Sequence, residues 1–444
     1  MQKNLTEGSI LKNIISFSAP FLLSYFLQTL YGMADLFIAG QFYGAEVISA
    51  VSIGSQLMHM ITVMIVGLAM GSSVLIAQSV GAKKREEASN YIGNSISLFL
   101  ILAFFMTLVL FFTARGLAKA VKTPEISLEE TVSYLRICFA GIPFIIAYNV
   151  IASIYRGLGD SKTPMYFVFI ACIINIALDY LFMGYFHLQS MGAALATIIA
   201  QALSVVFGLF LMFAGKNKLK LCRNDFILKW QKAKDILKIG LPVACQDGFI
   251  QVSFMVITAI ANSRGVEVSA AVGIVEKIIT FLFLIPSSML SSISAIGAQN
   301  AGAGKLHRAK QTLWAGTALA AGCGLIFALV FQFISLPVLK IFTHEESVQI
   351  LGCQYLRAYI TDCFFASIHF CFSGYFCALG KSIYSFIHNC ISVILIRIPG
   401  AYLTSIIWPQ TLTPMGFAAP AGSAISILLC IVFFILIERQ RKNQ

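Results

Sequence analysis

The sequence predicts an all-α polytopic membrane protein, with twelve transmembrane helices in two six-helix bundles. Three observations predict it. The 444 residues are 58% hydrophobic and only 11% charged, with a mean hydropathy of +0.85, whereas an average soluble domain is about 25% charged. The apolar residues fall into twelve runs of the length a bilayer demands, about 20 residues of helix each. The second half of the chain also repeats motifs of the first at a shift of 221–222 residues. The same composition excludes a water-soluble globule and a disordered chain.

The runs lie at 14–38, 47–72, 91–113, 132–154, 164–186, 192–214, 235–262, 271–297, 311–335, 354–377, 384–407 and 416–437. In lipid every backbone polar group must be bonded internally, so each run is expected as a helix. The first run has a polar lead and no small-residue cleavage site, and reads as a retained span. It carries Pro20, whose missing N–H predicts a kink, then Gln28 and Asp35. The second holds Met58, Met60, Met64 and Met70, read as packing, and Gly67 and Gly71, a G-x-x-x-G close-approach signal. The fifth holds Asn175 and Asp179, the sixth Thr197. The seventh opens on Pro242 and carries Asp247 and Gln251; the eighth has Glu276 beside Lys277; the tenth has Asp362 and His369; the eleventh has His388 and Arg397.

Charge orients the spans, because cytoplasmic loops are enriched in Lys and Arg. With the N-terminus inside, 22 of the 31 Lys and Arg residues fall on inside segments and seven on outside loops and span ends. Both termini are therefore expected in the cytoplasm, and the net charge of +12 reports topology rather than a nucleic-acid partner. The eleven cysteines are scattered, without C-x-x-C, and mostly inside apolar runs. They read as inert thiols, not a disulfide framework or zinc site.

The repeat divides the chain. Ala77–Ala82 (AQSVGA) matches Ala298–Ala303 (AQNAGA), Tyr134–Arg136 matches Tyr355–Arg357, and Leu158-Gly159 matches Leu379-Gly380, all at a shift of 221. Six spans per half means that the halves run in the same direction, related by a two-fold axis along the membrane normal. The expected bounds are 1–214 for the first lobe, 215–234 for a basic cytoplasmic linker and 235–444 for the second lobe. Trp230 and Leu237 stand among the linker's lysines. Those residues suit a segment lying on anionic headgroups, and a solvated linker fits equally.

An ionised Asp at a helix centre costs roughly 2.5–3.5 kcal/mol on insertion scales, so charges inside spans face partners or a watered cavity. The candidates are Asp35, Asp179, Asp247, Glu276, Asp362 and Arg397. Under the repeat, Asp35 maps near Ile257 and Asp179 onto Gly400, so both carboxylates are peculiar to the first half. Asn175 precedes Asp179 by four residues and Gln28 precedes Asp35 by seven, each pair on one helix face. A carboxylate beside an amide in low dielectric suits proton exchange, and a purely structural network is the alternative. Glu276 reads as the cap of its helix's outer end, Arg397 as the partner of an acid in its own half, and His59, His369 and His388 as satisfied interior histidines. No loop offers the clustered groups that a membrane-embedded enzyme needs.

The motifs resemble those of the multidrug and toxic compound extrusion (MATE) transporters. The resemblance rests on Gly32–Gly40 (GMADLFIAG), Gly71–Lys83 (GSSVLIAQSVGAK), Arg156–Pro164 (RGLGDSKTP), Asn175–Asp179 (NIALD), Gly192–Thr197 (GAALAT) and Gln299–Lys305 (QNAGAGK). It spans nearly the whole chain and implies two six-helix bundles around a V-shaped cleft. It also implies export of organic cations against inward H+ or Na+, with no other cofactor. The branch called DNA-damage-inducible-F-like is the nearest match. There the resemblance implies an ion-coupling set at Gln28, Asp35, Asn175, Asp179 and Thr197, with Pro20 as hinge. A second family branch places a glutamate about nine residues after the seventh-span proline, where this chain has Gln251; Asp247, one turn earlier, is the available substitute. The second-half polar positions Asp247, Gln251, Glu276, Asp362 and Arg397 are thus secondary candidates. The expected protein is a monomer of the bacterial cytoplasmic membrane that handles small cations among membrane lipids. The rival reading is a lipid-linked oligosaccharide flippase of the same superfamily, which would need a cationic cleft.

Overall fold

The computed structural model describes residues 4–214 and 221–442, and every regular element among them is helical. Residues 215–220 of the expected linker lie outside the described residues. The first six spans are α1 (Ile10–Phe42), α2 (Ala45–Gly81), α3 (Arg85–Ala120), the pair α4 (Glu125–Ala140) and α5 (Ile142–Gly157), α6 (Lys162–Asp179) extended by a π-helical turn over Tyr180–Tyr185, and α7 (Gln189–Ala214). The next six are α8 (Trp230–Asn262), α9 (Val266–Leu282) with α10 (Leu284–Gly302), α11 (Leu306–Phe342), and α12 (Glu346–Tyr359) with α13 (Asp362–Ala378). They close with α14 (Ser382–Ile391), continued through π-helical Ser392–Arg397 into α15 (Ile398–Ile407), and α16 (Thr413–Gly416) with α17 (Ala418–Lys442). Eleven of these segments are long and apolar enough to cross a membrane, and α4 with α5, bent by 50°, makes twelve. Each expected run has its helix.

The repeated motifs turn out to be repeated helix ends. Lys84 N–H donates to Ser79 O at 3.0 Å and Lys305 N–H to Asn300 O at 2.9 Å; Asp160 N–H donates to Tyr155 O at 2.9 Å and Lys381 N–H to Phe376 O at 2.8 Å. These six-to-one bonds satisfy carbonyls that a helix terminus leaves open, and they require a left-handed residue just past the end. Gly159, Gly304 and Gly380 supply it, and Lys83 occupies the fourth position at φ 59°. The four turns therefore recur because the same backbone problem is solved twice in each half.

Chain contacts divide the molecule into two compact units, Met1–Leu5 with Ala19–Ala244 and Thr6–Ser18 with Cys245–Gln444. The division differs from the expected lobes at two helices. The first turns of α1 group with the second unit, where Lys305 and Arg308 donate to the carbonyls of Thr6 and Gly8. The first turns of α8 group with the first unit. Their tie is close backbone packing: a Cβ on Gly71 would sit 2.3 Å from Ile236 O, and one on Gly240 would sit 2.2 Å from Leu68 O. Sequence marked Gly71 as a small-residue contact; its partner on α8 became visible only in the fold.

The first unit buries Val51, Phe99, Tyr134, Phe139 and Ile154 in one core. The second buries Val275, Ile279, Tyr355, Leu356 and Tyr359 in another. Met58 joins the first core, as packing. Pro20 lies inside α1, which continues through it as one helix, with Ser24 Oγ donating to Pro20 O at 2.8 Å.

Candidate functional site

The first unit gathers four of the five expected coupling residues. Asp35 comes from α1, Asn175 and Asp179 from successive turns of α6, and Thr197 from α7. Asn175 Nδ2 donates to Thr197 Oγ1 at 3.4 Å, and Thr197 Oγ1 donates to Asp35 Oδ2 at 3.5 Å. Asp179 faces Asp35. Asp35, Asn175 and Asp179 are buried, and both Asp179 oxygens and Asp35 Oδ1 lack a hydrogen bond of standard geometry among the described residues. No ion pair among the described residues involves either carboxylate. Two buried acids thus lie together beside a neutral amide and hydroxyl, an arrangement that suits exchange of a proton or a small cation.

Gln28 stands apart from the four. Its Nε2 donates to Tyr148 OH of α5 at 3.5 Å. Tyr31, one turn on from Gln28, lies within electrostatic range of Tyr148 and Asp35 and beside Gln201. Sequence reading missed Tyr31, Tyr148 and Gln201, because a tyrosine in an apolar run carries no mark of the residue it will face.

The π-helical turn begins directly after Asp179, and Phe186 N–H donates to Leu181 O, five residues back. Such turns frequently occur at functional sites. Here the turn is tied to the end of α1. Tyr43 OH donates to Met183 O at 2.8 Å and accepts from Gln189 N–H at 3.1 Å, and Gly184 leaves room for the Phe42 ring. The tie holds α1 and α6 together one end beyond the Asp35–Asp179 contact. Tyr43→Phe should remove both bonds and cost about 1 kcal/mol, measurable as a lowered melting temperature of the detergent-purified protein with an intact far-UV spectrum.

The second unit arranges its charges differently from expectation. Arg397 closes the second π-helical turn and makes no ion pair among the described residues. It donates to the Tyr359 hydroxyl, and its guanidinium lies 4.7 Å from the Phe254 ring centre and 5.7 Å from that of Tyr359. Asp362 and Glu276 act on it only at longer range. Its nearest partners are thus aromatic faces, which attract a desolvated guanidinium, while the acids of its own half lie beyond ion-pair distance but within electrostatic range. Glu276 is not a helix cap either. It sits within α9 and accepts from Thr258 Oγ1 of α8 at 3.1 Å, because α8 and α9 form one hairpin. Asp362 is buried at the start of α13, where the tenth span breaks.

Asp247 is partly buried and in electrostatic range of Cys377, and Gln251 follows one turn on. Gln246, which the sequence did not single out, accepts from Ser385 Oγ at 2.6 Å. His369 and His388, distant in sequence, have ring centres 5.6 Å apart, and Ser373 Oγ lies 2.9 Å from His388 Nε2. No cluster of three or more metal-ligating side chains occurs among the described residues.

Twelve apolar helices built from a duplicated six-helix motif, with carboxylates buried within the helices, have the build of a membrane transporter of the internal-repeat class. The MatE family model matches the chain twice, over residues 20–181 and 242–403, the matches opening on Pro20 of α1 and Pro242 of α8. The chain belongs to the MatE family and is a membrane transporter rather than an enzyme. It is 28% identical over 402 residues to the probable multidrug resistance protein YpnP of Bacillus subtilis (strain 168), covering 90% of both chains. It is 23% identical to YoeA of the same organism, which carries the same description, over 98% of this chain and 96% of that one. Among solved structures, a MATE family transporter in an outward-facing conformation superposes with a TM-score of 0.92 at 21% identity, over 99% of this chain and 98% of that one.

Proposed function

We propose that this transporter exports lipophilic organic cations from a bacterial cell in exchange for inward protons, with Na+ as the alternative driving ion. The observation that carries the reading is the Asp35–Asp179 pair, two buried acids without a basic partner among the described residues' ion pairs. Protonation from outside neutralises the pair and releases the cation; deprotonation inside restores the charge that attracts the next one. The names of YpnP and YoeA support drug resistance as the physiological readout. The energetics suffice: each pH unit is worth about 1.4 kcal/mol. Exchange of one proton for one monovalent cation moves no net charge, so a pH unit alone supports about tenfold accumulation. A second proton adds about 2.3 kcal/mol per 100 mV.

The test is efflux from proteoliposomes of an ethidium-like or quaternary ammonium dye, with pH and Na+ gradients imposed separately. Dye movement with the pH gradient alone is expected. Movement with Na+ alone keeps the site and replaces the ion; movement with neither removes the proposal. The flippase reading would require cations free to take a phosphate, and the mid-span Arg397 is instead engaged by Tyr359 and Phe254.

Both termini are proposed to face the cytoplasm, as the Lys and Arg distribution requires. A single cysteine at Ser89, in a cysteine-free background, should resist an impermeant maleimide in intact cells and react after permeabilisation. Labelling of intact cells at that position would invert the topology.

A further inference from the structure

We propose that the segment Arg223–Lys238 of the first unit is a docking surface for anionic phospholipid headgroups, with an apolar tip entering the leaflet beside α3. The inference rests on the membrane-spanning reading of the helices and is independent of the coupling mechanism. The segment is a built strap. Asp225 Oδ2 accepts the Cys222 N–H at 2.8 Å, Asn94 Nδ2 donates to Asp225 O at 3.1 Å, and Asn94 Oδ1 accepts the Lys229 N–H at 2.7 Å. Ser97 Oγ donates to Phe226 O at 2.6 Å. A Cβ on Gly93 would sit 2.3 Å from Asp225 O, so that glycine admits the strap's backbone against α3. Lys232 reaches Glu87 and lies 3.8 Å from the centre of the Tyr91 ring, and Tyr91 OH donates to Asp235.

With its main chain pinned inward, the strap turns apolar side chains outward. Ile227 is 60% and Trp230 73% exposed, and Phe226 and Leu228 are also exposed. Phe226 is fastened at Ser97, one turn of α3 before the exposed Leu100 and Ile101 and two before Phe104. The tip is therefore continuous with the apolar face that α3 presents to the hydrocarbon. The charges sort in the same way. The acids are engaged within the protein, Asp225 by the strap's own backbone and Asp235 by Tyr91 and Gln231. Arg223, Lys234 and Lys238 are exposed. Trp230, Lys234 and Lys238 follow at four-residue spacing and lie along one stripe of α8. An outward surface of aromatic and aliphatic groups rimmed by cations matches an interface of apolar chains under anionic headgroups, where each Lys or Arg adds attraction. Bulk water would match the cations and not the tip.

The test uses the full chain with Trp314→Phe and Trp408→Phe, which leaves Trp230 as the sole tryptophan. The protein is placed in nanodiscs carrying equal fractions of brominated phosphatidylglycerol or brominated phosphatidylcholine. Trp230 should be quenched more strongly by the phosphatidylglycerol. Adding Arg223→Gln, Lys234→Gln and Lys238→Gln should weaken that preference by up to about fivefold per cation removed. Equal quenching by the two lipids overturns headgroup selection, and no quenching by either places the strap in water. If the double tryptophan variant fails to fold, the melting shift on adding phosphatidylglycerol rather than phosphatidylcholine is compared between the natural chain and the triple Gln variant. Equal shifts overturn the proposal.

Discussion

Asp35→Asn and Asp179→Asn are each expected to reduce pH-driven dye efflux from proteoliposomes to that of empty vesicles. The expectation follows from the geometry of the pair. Both side chains are buried, they face one another, and the hydroxyl that donates to Asp35, from Thr197, is neutral. An amide fills the same volume and cannot exchange a proton, so each variant fixes the charge of one member permanently. The remaining acid then lacks the neighbour whose charge its own protonation must answer. Asn at either position keeps hydrogen-bonding capacity, so a folded, monodisperse protein with normal membrane insertion is expected, with any stability loss within about 1–3 kcal/mol. Dye binding without a gradient should survive in at least one variant, which separates coupling from recognition. Efflux at the natural rate by both variants would refute the carboxylate mechanism. Gln28→Ala should have a smaller effect, since Gln28 donates to Tyr148 rather than to either acid.

Gly240→Ala is expected to give one of the largest losses of stability among alanine substitutions at helical glycines that lack left-handed φ. The new Cβ would meet Leu68 O at 2.2 Å, a backbone atom that cannot swing aside. The two helices must separate or shear, at a cost of about 1–3 kcal/mol. Gly71→Ala, which meets Ile236 O at 2.3 Å, should cost as much. The double variant should cost less than the sum, because one displacement of α8 from α2 relieves both clashes. Gly322→Ala serves as the control. Nothing lies within 4 Å of its Cβ, and replacing a helical glycine there should be neutral or stabilising by up to about 1 kcal/mol. Thermal unfolding in detergent, followed by tryptophan fluorescence, reads all four. Equal melting temperatures for Gly240→Ala and Gly322→Ala would show that α2 and α8 are not in backbone contact.

The sequence by itself determined the spans, their number and the duplication. Each apolar run became a helix because lipid allows a lone segment no other way to satisfy its backbone, and that constraint is local. The repeated Gly-containing motifs were legible for the same reason, since a helix end needs its left-handed residue whatever lies around it. Half of the site was legible too: an Asp inside an apolar run is expensive enough to mark itself, and the four-residue step from Asn175 to Asp179 fixes a shared face. The tertiary structure alone decided which faces meet. It joined Asp35 to Asp179 across 144 residues of sequence, set Gln28 on Tyr148, and gave Arg397 two aromatic rings as its nearest partners. It also widened two helices into π turns, turned the second half of the expected linker into a strap on α3, and passed the first turns of α1 and α8 to the other unit. None of these has a periodic or compositional signature. Pairing across helices depends on which side chains a packed neighbour leaves room for, and a five-residue hydrogen-bond step is written in the same residues as a four-residue one.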